Sequence, residues 1–360
     1  MAEIKLCGLG HSYGSNPNTQ VDYALKPVNL TWEDGKTYAL LGPSGCGKST
    51  MLNIISGLLK PSAGQLMFDG KDVTNLSTTE RNIAQVFQFP VIYTTKSVRQ
   101  NIAFPLECKR IQPEQIKKRV EHIAELLELT HLLDKPARKL SADQKQLISL
   151  GRGLVREDVG AVLLDEPLTV IDPQLKFSLR RKLREINRVT GTTMILVTHD
   201  QSEAMSFADE IVLMKDGMVQ QAGAPEVLFS RPRNEFVGYF IGSPPLNMID
   251  AQAVQKNRIT KLSDVMSNQN QAGRRVQLGF RPEHIILEHC DNALLGVGTI
   301  SKVEHVGVDS IITLEIHHGT KVKAKIRGLD GLSGMEVGVK IGVNVNEEDC
   351  LVYVNGHLQS

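Results

Sequence analysis

The run GPSGCGKST (Gly42–Thr50) fits the pattern G-x-x-x-x-G-K-[ST], which holds the phosphates of a nucleotide. Gly42, Gly45 and Gly47 let the backbone curl until several N–H groups point at phosphate oxygens, with Pro43, Ser44 and Cys46 filling the turn. A helix starting at the end of the loop adds its positive terminus. Lys48 is then placed to hold the β- and γ-phosphates, Ser49 to ligate Mg²⁺, and Thr50 to close the motif. A fortuitous glycine-rich turn is the competing explanation. The apolar run TYALL (Thr37–Leu41) before the loop and the helical pattern from Ser49 supply the context the phosphate reading requires. ATP or a close relative is the expected ligand.

The partner of that loop is AVLLDEP, where four apolar residues precede Asp165 and Glu166. Asp165 would hold magnesium directly or through water, and Glu166 is the candidate general base for an attacking water. Such a pair after a strand is usually only the start of a helix. The phosphate loop upstream is what strengthens the functional reading.

To bring these groups together the chain needs strands whose C-terminal ends share one edge, the place where open α/β sheets bind ligands. The first 235 or so residues alternate short β-branched runs with helical patterns, which predicts an α/β core with a largely parallel sheet. TMILVTHD (Thr193–Asp200) is another apolar strand with polar residues at its end. PEQIKKRVEHIAELLEL (Pro113–Leu129) carries Ile116, Val120, Ile123, Leu126 and Leu127 at helical spacing, and DPQLKFSLRRKLREINRV is a further amphipathic helix. From about residue 245 the helical period fades, and RRVQLGF, SIITLEI and TKVKAKI alternate apolar with polar residues, as in a small barrel or sandwich. GSPP (Gly242–Pro245) is a plausible boundary marker in the composition. The expected fold is thus an α/β nucleotide-binding domain over 1–235 and an all-β domain over 236–360.

Composition excludes several classes. With 41 basic and 40 acidic residues, no overall field favours nucleic acid or an anionic membrane. Aromatic residues make up only 5%, too few for base stacking along a strand. Five scattered cysteines (Cys7, Cys46, Cys108, Cys290, Cys350) without CxxC spacing argue for reduced thiols in a cytosol. No apolar run approaches the roughly 20 residues that span a bilayer, and MAEIKLCGLG lacks the profile of a signal peptide. A soluble chain that meets the membrane through partners is expected.

Lys48, Gln88, LSADQ, LLDEP, Asp172 and His199 follow in the order of an ABC ATPase, and residues 1–240 resemble that family closely. FVGYFIGSPPLNMID and LGFRPEHI look like the junction and regulatory domain of ATPase subunits in bacterial carbohydrate-type importers. The resemblance implies a P-loop NTPase with a helical subdomain over about 89–158, followed by an OB-like barrel domain. It implies that Tyr13, in HSYG, stacks on adenine, and that Gln88, in QVFQFPVIY, senses Mg²⁺ and the attacking water. It places His199 at the γ-phosphate and Glu166, and Asp172 in a loop that crosses to a second ATPase subunit. The segment from Phe89 to Pro105 would face two transmembrane permease subunits, with an extracytoplasmic solute-binding protein reached indirectly. The implied location is the cytoplasmic face of the inner membrane, and the implied work is uptake of a small polar solute driven by closure of the ATPase pair on ATP. QFPVIY with LSADQKQLISLGRGLVR is similar to the glycerol and glycerol-phosphate importer ATPases.

One segment departs from the family. Where LSGGQ is usual, Leu140, Ser141 and Gln144 are kept, but Ala142 and Asp143 replace two glycines, and Leu147 stands where a basic residue is common. At about 5 Å and an effective dielectric of about 20, the aspartate would repel one nucleotide charge by roughly 3 kcal/mol. Three readings follow. Asp143 points away and helix N–H groups still serve the ATP of the second subunit; or a different partner chain, in a heterodimer rather than a homodimer, supplies the good signature; or the chain is a catalytically weakened nucleotide-bound scaffold.

Other classes fit less of the sequence. A DNA-repair ATPase would need a long insertion within 50–140, and a translation factor would need a second phosphate loop. A regulatory binding role remains open for the C-terminal part. His317–His318 and His284/His289 share no spacing with a carboxylate or cysteine that would make a metal site.

Overall fold

The computed structural model describes residues 2–14, 23–251, 274–288, 293–328 and 334–359, so His289 and Cys290 lie outside the described residues. The chain divides into two compact units, Met1–Pro225 and Glu226–Ser360.

In the first unit, β1 (Ile4–His11), β2 (Leu25–Trp32) and β3 (Thr37–Leu41) precede helix α1 (Lys48–Ser56), followed by β4 (Ala63–Phe68), β5 (Lys71–Asp72) and β6 (Ala84–Val86). Three helices come next: α2 (Val98–Cys108), α3 (Pro113–Leu126) and α4 (Ala142–Leu154). The unit ends with β7 (Ala161–Asp165), α5 (Pro173–Thr190), β8 (Thr193–Thr198), α6 (Gln201–Phe207), β9 (Glu210–Lys215) and β10 (Met218–Gly223).

These strands form an antiparallel sheet, β2-β1-β4-β5, and a six-stranded sheet, β10-β9-β3-β8-β7-β6. Within the second sheet the neighbours from β9 through β6 pair in parallel. Parallel strands covered on both faces read as unbroken apolar runs, and every residue of TYALL and TMILVT is buried. Trp32, Tyr38, Leu163 and Ile195 share one core with Met51, Ile54 and Ile55 of α1, which packs the phosphate-loop helix against the strands. The helical pattern over Pro113–Leu129 stops at Leu126, because Glu128 takes a left-handed φ of 58°.

The second unit carries α7 (Pro225–Ser230), α8 (Glu235–Phe240), β11 (Asn247–Asp250), β12 (Val276–Phe280), β13 (Ile285–Glu288) and β14 (Val297–Val306). It continues through β15 (Asp309–Glu315), β16 (Lys321–Arg327), β17 (Lys340–Val345), β18 (Leu351–Val354) and β19 (His357–Leu358). Two antiparallel sheets, β11-β12-β18-β19 and β13-β17-β14-β15-β16, enclose one core that includes Leu278, Phe280, Ile312, Leu314 and Val343.

This division falls ten residues before the boundary at 235 that the sequence pattern suggested, for a physical reason. Buried Arg281 donates to Phe229 O (3.0 Å), Gly238 O (3.3 Å) and Ile241 O (2.5 Å), so it holds the C-terminal ends of α7 and α8. The Tyr353 hydroxyl donates to Pro232 O at 2.8 Å. Helical periodicity persists to about residue 245, but these helices pack with the strands that follow them.

Candidate functional site

The order β3-β8-β7-β6 sets four C-terminal strand ends side by side. β3 leads into Gly42–Thr50, β8 into His199, β7 into Glu166, and β6 into Gln88. Residues far apart in sequence thereby share one edge of the sheet.

The loop after β3 needs its glycines. Gly42 has a φ of 152°, and a Cβ there would lie 2.3 Å from Met214 O. Gly47 has a φ of 99°, and its Cβ would lie 2.6 Å from Ala24 O. Lys48, only 4% exposed, donates from Nζ to Gly42 O (2.8 Å) and Pro43 O (2.9 Å). Its charge thus sits inside the loop against neutral carbonyls that an anionic phosphate would outcompete. Ser49 Oγ stands 3.5 Å from Asp165 Oδ1. The hydroxyls of Thr50 and Tyr13 are 3.2 Å apart, and the Tyr13 ring, edge-on to His11, is 70% exposed.

At the end of β7, burial raises the Asp165 carboxyl above the usual carboxylate range, and the Glu166 charge adds to the shift. Hydrogen bonding from Ser49 and the charge of Lys48 oppose it. Glu166 adopts a left-handed φ of 44°, rare for a side-chain-bearing residue. Its N–H donates to Val197 O (3.0 Å), and its carbonyl accepts from Thr169 N (3.3 Å). One carboxylate oxygen, Oε2, faces His199 Nδ1 at 3.1 Å, Gln88 Nε2 at 3.4 Å and Thr169 Oγ1 at 3.4 Å. His199 precedes Asp200, whose carboxylate accepts from Ser202 N (2.7 Å) at the start of α6 and fixes the chain there. Gln88 is steadied from another direction, because buried Gln146 of α4 donates to Phe87 O at 2.9 Å.

The predicted residues Glu166, His199, Gln88, Asp165, Lys48 and Ser49 therefore converge. Thr169 and Gln146 belong to the same arrangement, and sequence reasoning missed both. Neither sits in a motif: Thr169 arrives by a turn, and Gln146 reaches 59 residues back along the chain.

The segment Leu140–Gln144 and Asp172 are placed differently. Ser141 is the N-cap of α4, and Gln144 Oε1 accepts from its N–H at 3.2 Å. Asp143, in the first turn, borders a cleft of about 160 Å³ together with Leu147 and with Leu175, Leu179 and Lys182 of α5. Lys182 Nζ is paired with Glu128 Oε1 at 2.5 Å. Asp172 caps α5 by accepting from Gln174 N at 2.9 Å. Among the described residues no hydrogen bond or ion pair joins Leu140–Gln144 to the phosphate loop. Nor do any three His, Cys, Asp or Glu residues among them form a metal cluster, and no helix is long and apolar enough to cross a membrane.

A family model described as ABC transporter matches residues 25–169, one described as MalK OB fold domain matches 242–285, and one described as TOBE domain matches 270–352. The chain is 35% identical to an sn-glycerol-3-phosphate import ATP-binding protein of Agrobacterium fabrum, over 97% of each chain. It is 40% identical to a trehalose import ATP-binding protein of Mycobacterium tuberculosis, over 79% of this chain and 73% of that one. Among solved structures, the dimeric post-hydrolysis state of the ATP-binding cassette MJ0796 bound to ADP and Pi aligns with a TM-score of 0.55 and 30% identity. That alignment covers 61% of this chain and 98% of the other.

Proposed function

The chain belongs to the ABC transporter family of import ATP-binding subunits, and on that premise we propose how its residues bind ATP and hydrolyse it to drive uptake. The observation that carries the proposal is the convergence of three side chains on one oxygen of Glu166, beside Asp165 and the phosphate loop. With Oε2 so held, Oε1 of Glu166 is left to accept the proton of a water attacking the γ-phosphate. His199 orients that carboxylate and meets the γ-phosphate, and Lys48 turns from its loop carbonyls to the β- and γ-phosphates. The loop N–H groups and the start of α1 supply the rest of the positive field. Tyr13 stacks on adenine, its ring held at the site through Thr50.

Mg²⁺, when bound, neutralises charge on the transferring phosphate oxygens. Ser49 and Asp165 would hold it, joined by Gln88. A hydroxyl and one carboxylate 3.5 Å apart suit an ion that keeps several waters and takes few protein ligands.

A second ATPase subunit completes the site. Ser141 and the N–H groups at the start of α4 meet the partner's nucleotide, and Asp172 belongs to the crossing loop. The absence, among the described residues, of any bond between that helix start and the chain's own phosphate loop supports this arrangement. Asp143 borders the cleft beside α5, which favours the reading in which its charge is turned from the nucleotide. The unit that ends at Pro225 serves as the nucleotide-binding domain, with 89–158 as its helical arm, and the unit from Glu226 serves as an OB-like regulatory domain.

Docking to two permease subunits on the cytoplasmic face of the inner membrane is supported by exposed Phe87, Phe89, Val91 and Tyr93 around Gln88. The solute is delivered from outside by a binding protein and belongs to the sugar, polyol or polyol-phosphate class. The test is steady-state ATP hydrolysis by the complex with its membrane partners, comparing wild type with Glu166→Gln and Asp143→Gly. Loss of turnover in Glu166→Gln with ATP binding retained supports the base assignment; unaltered turnover refutes it.

A further inference from the structure

Resting on the assignment of Glu166 as the base, we propose that Thr169 is a positioning residue for hydrolysis: its hydroxyl fixes Glu166 Oε2 from the loop that runs to Asp172. The loop is wound by successive turns, with Thr169 N donating to Glu166 O (3.3 Å) and Ile171 N donating to Leu168 O (3.1 Å). Leu168 (0% exposed) and Ile171 (3% exposed) anchor it in the core. Thr169 lies between these anchors with its side chain exposed. It therefore fills no space in the core, and its hydroxyl is the group that makes a specific contact, 3.4 Å from Glu166 Oε2.

The base needs such a contact. Glu166 stands just beyond the end of β7 with a φ of 44°: its N–H still pairs with Val197 O of β8, but the strand's alternation no longer sets where its side chain points. His199 and Gln88 approach Oε2 from the loops after β8 and β6. Thr169 approaches from the loop after β7, so donors from three separate segments meet at one oxygen. The carboxylate cannot rotate about its last bond without breaking all three contacts, and Oε1 stays aimed at the reacting water. A separation of 3.4 Å is long for O–H···O, as catalytic hydrogen bonds commonly are before substrate closes the site.

The experiment measures ATP hydrolysis by the complex with its membrane partners over a range of ATP concentrations, for Thr169→Val, Thr169→Ser and Glu166→Gln. Valine keeps the shape and removes the hydroxyl; serine keeps the hydroxyl. We expect Thr169→Val to lower kcat about five- to tenfold with KM for ATP changed by less than about twofold. Thr169→Ser should return kcat to within about twofold of wild type. Wild-type kcat in the valine variant, a loss carried by KM, or a loss that serine does not rescue would overturn the proposal. Unaltered turnover in Glu166→Gln would overturn the base assignment itself, whatever the Thr169 variants do.

Discussion

Nδ1 of His199 lies 3.1 Å from Oε2 of Glu166, although 33 residues separate the two in sequence. Parallel pairing of β7 with β8 creates the relationship, since both residues leave neighbouring strand ends on the same edge. His199→Ala removes one of three donors to that oxygen and, on the proposed mechanism, a group that meets the γ-phosphate. Its kcat should fall by about 10² or more, with ATP affinity little changed. Single-turnover hydrolysis and equilibrium nucleotide binding, measured on the same preparation, check both halves.

Asp143 is this chain's most visible departure from the family, and it borders the cleft with Leu147 and Leu179; the proposed reading is that its charge is turned from the nucleotide. Asp143→Gly should change turnover less than about threefold. It should cost about 1 kcal/mol of stability, because glycine is a poor helix former and the first-turn carboxylate is lost. Chemical denaturation reads the second effect. A marked gain in turnover would instead identify the aspartate as a brake on the partner's site.

Asp165 carries a pH dependence. Burial first, and then the Glu166 charge, raise its carboxyl above the usual range. Between the ordinary carboxylate value and the folded one, the folded chain therefore holds a proton that the unfolded chain has released. The associated stability is fully present below the ordinary value, falls as pH rises through that window, and is absent at neutral pH. Asp165→Asn should raise the melting temperature of the nucleotide-free protein near neutrality by about 1–4 °C, with the advantage shrinking toward acid. ATP should stabilise both proteins, and adding Mg²⁺ should increase that stabilisation in wild type and much less in the variant.

Arg281 offers a test in the second unit. Its guanidinium is 3% exposed, its pKa is lowered to about 10 by burial, and it satisfies carbonyls of Phe229, Gly238 and Ile241. Arg281→Met removes the donor to Phe229 O and Ile241 O, while Gly238 O keeps the Leu246 N–H at 3.0 Å, and it relieves the cost of burying a charge. A net destabilisation of about 2–4 kcal/mol is expected. The sole tryptophan, Trp32, is buried in the first unit. Urea unfolding followed by circular dichroism should therefore become biphasic, while the tryptophan transition stays in place.

The phosphate loop and its strand were legible because a short run of residues specifies both its turn and its chemistry. Asp165, Glu166 and His199 were legible because each follows an apolar run that is buried on both faces. Thr169 was not, since its contact depends on a turn closed by backbone bonds that leave no periodic trace. Gln146 and Arg281 escaped for a related reason. Their partners are backbone carbonyls, which every residue type presents, and the pairings lie 59 and 40–52 residues apart. The compact second unit starts ten residues before the change in sequence pattern at 235, because α7 and α8 keep a helical pattern while packing with strands.

The left-handed backbone at Glu166 has a bearing on how such a chain drifts under mutation. A carboxylate there carries a conformational cost of order 1–3 kcal/mol that glycine avoids entirely and asparagine partly. Variants screened only for heat resistance or soluble yield should accumulate glycine or asparagine at 166. Under a demand for transport the same substitutions should vanish. Position 166 is thus where robustness and work are selected in opposite directions, and the frequencies of its residues in the two screens would record which one a lineage had been asked to supply.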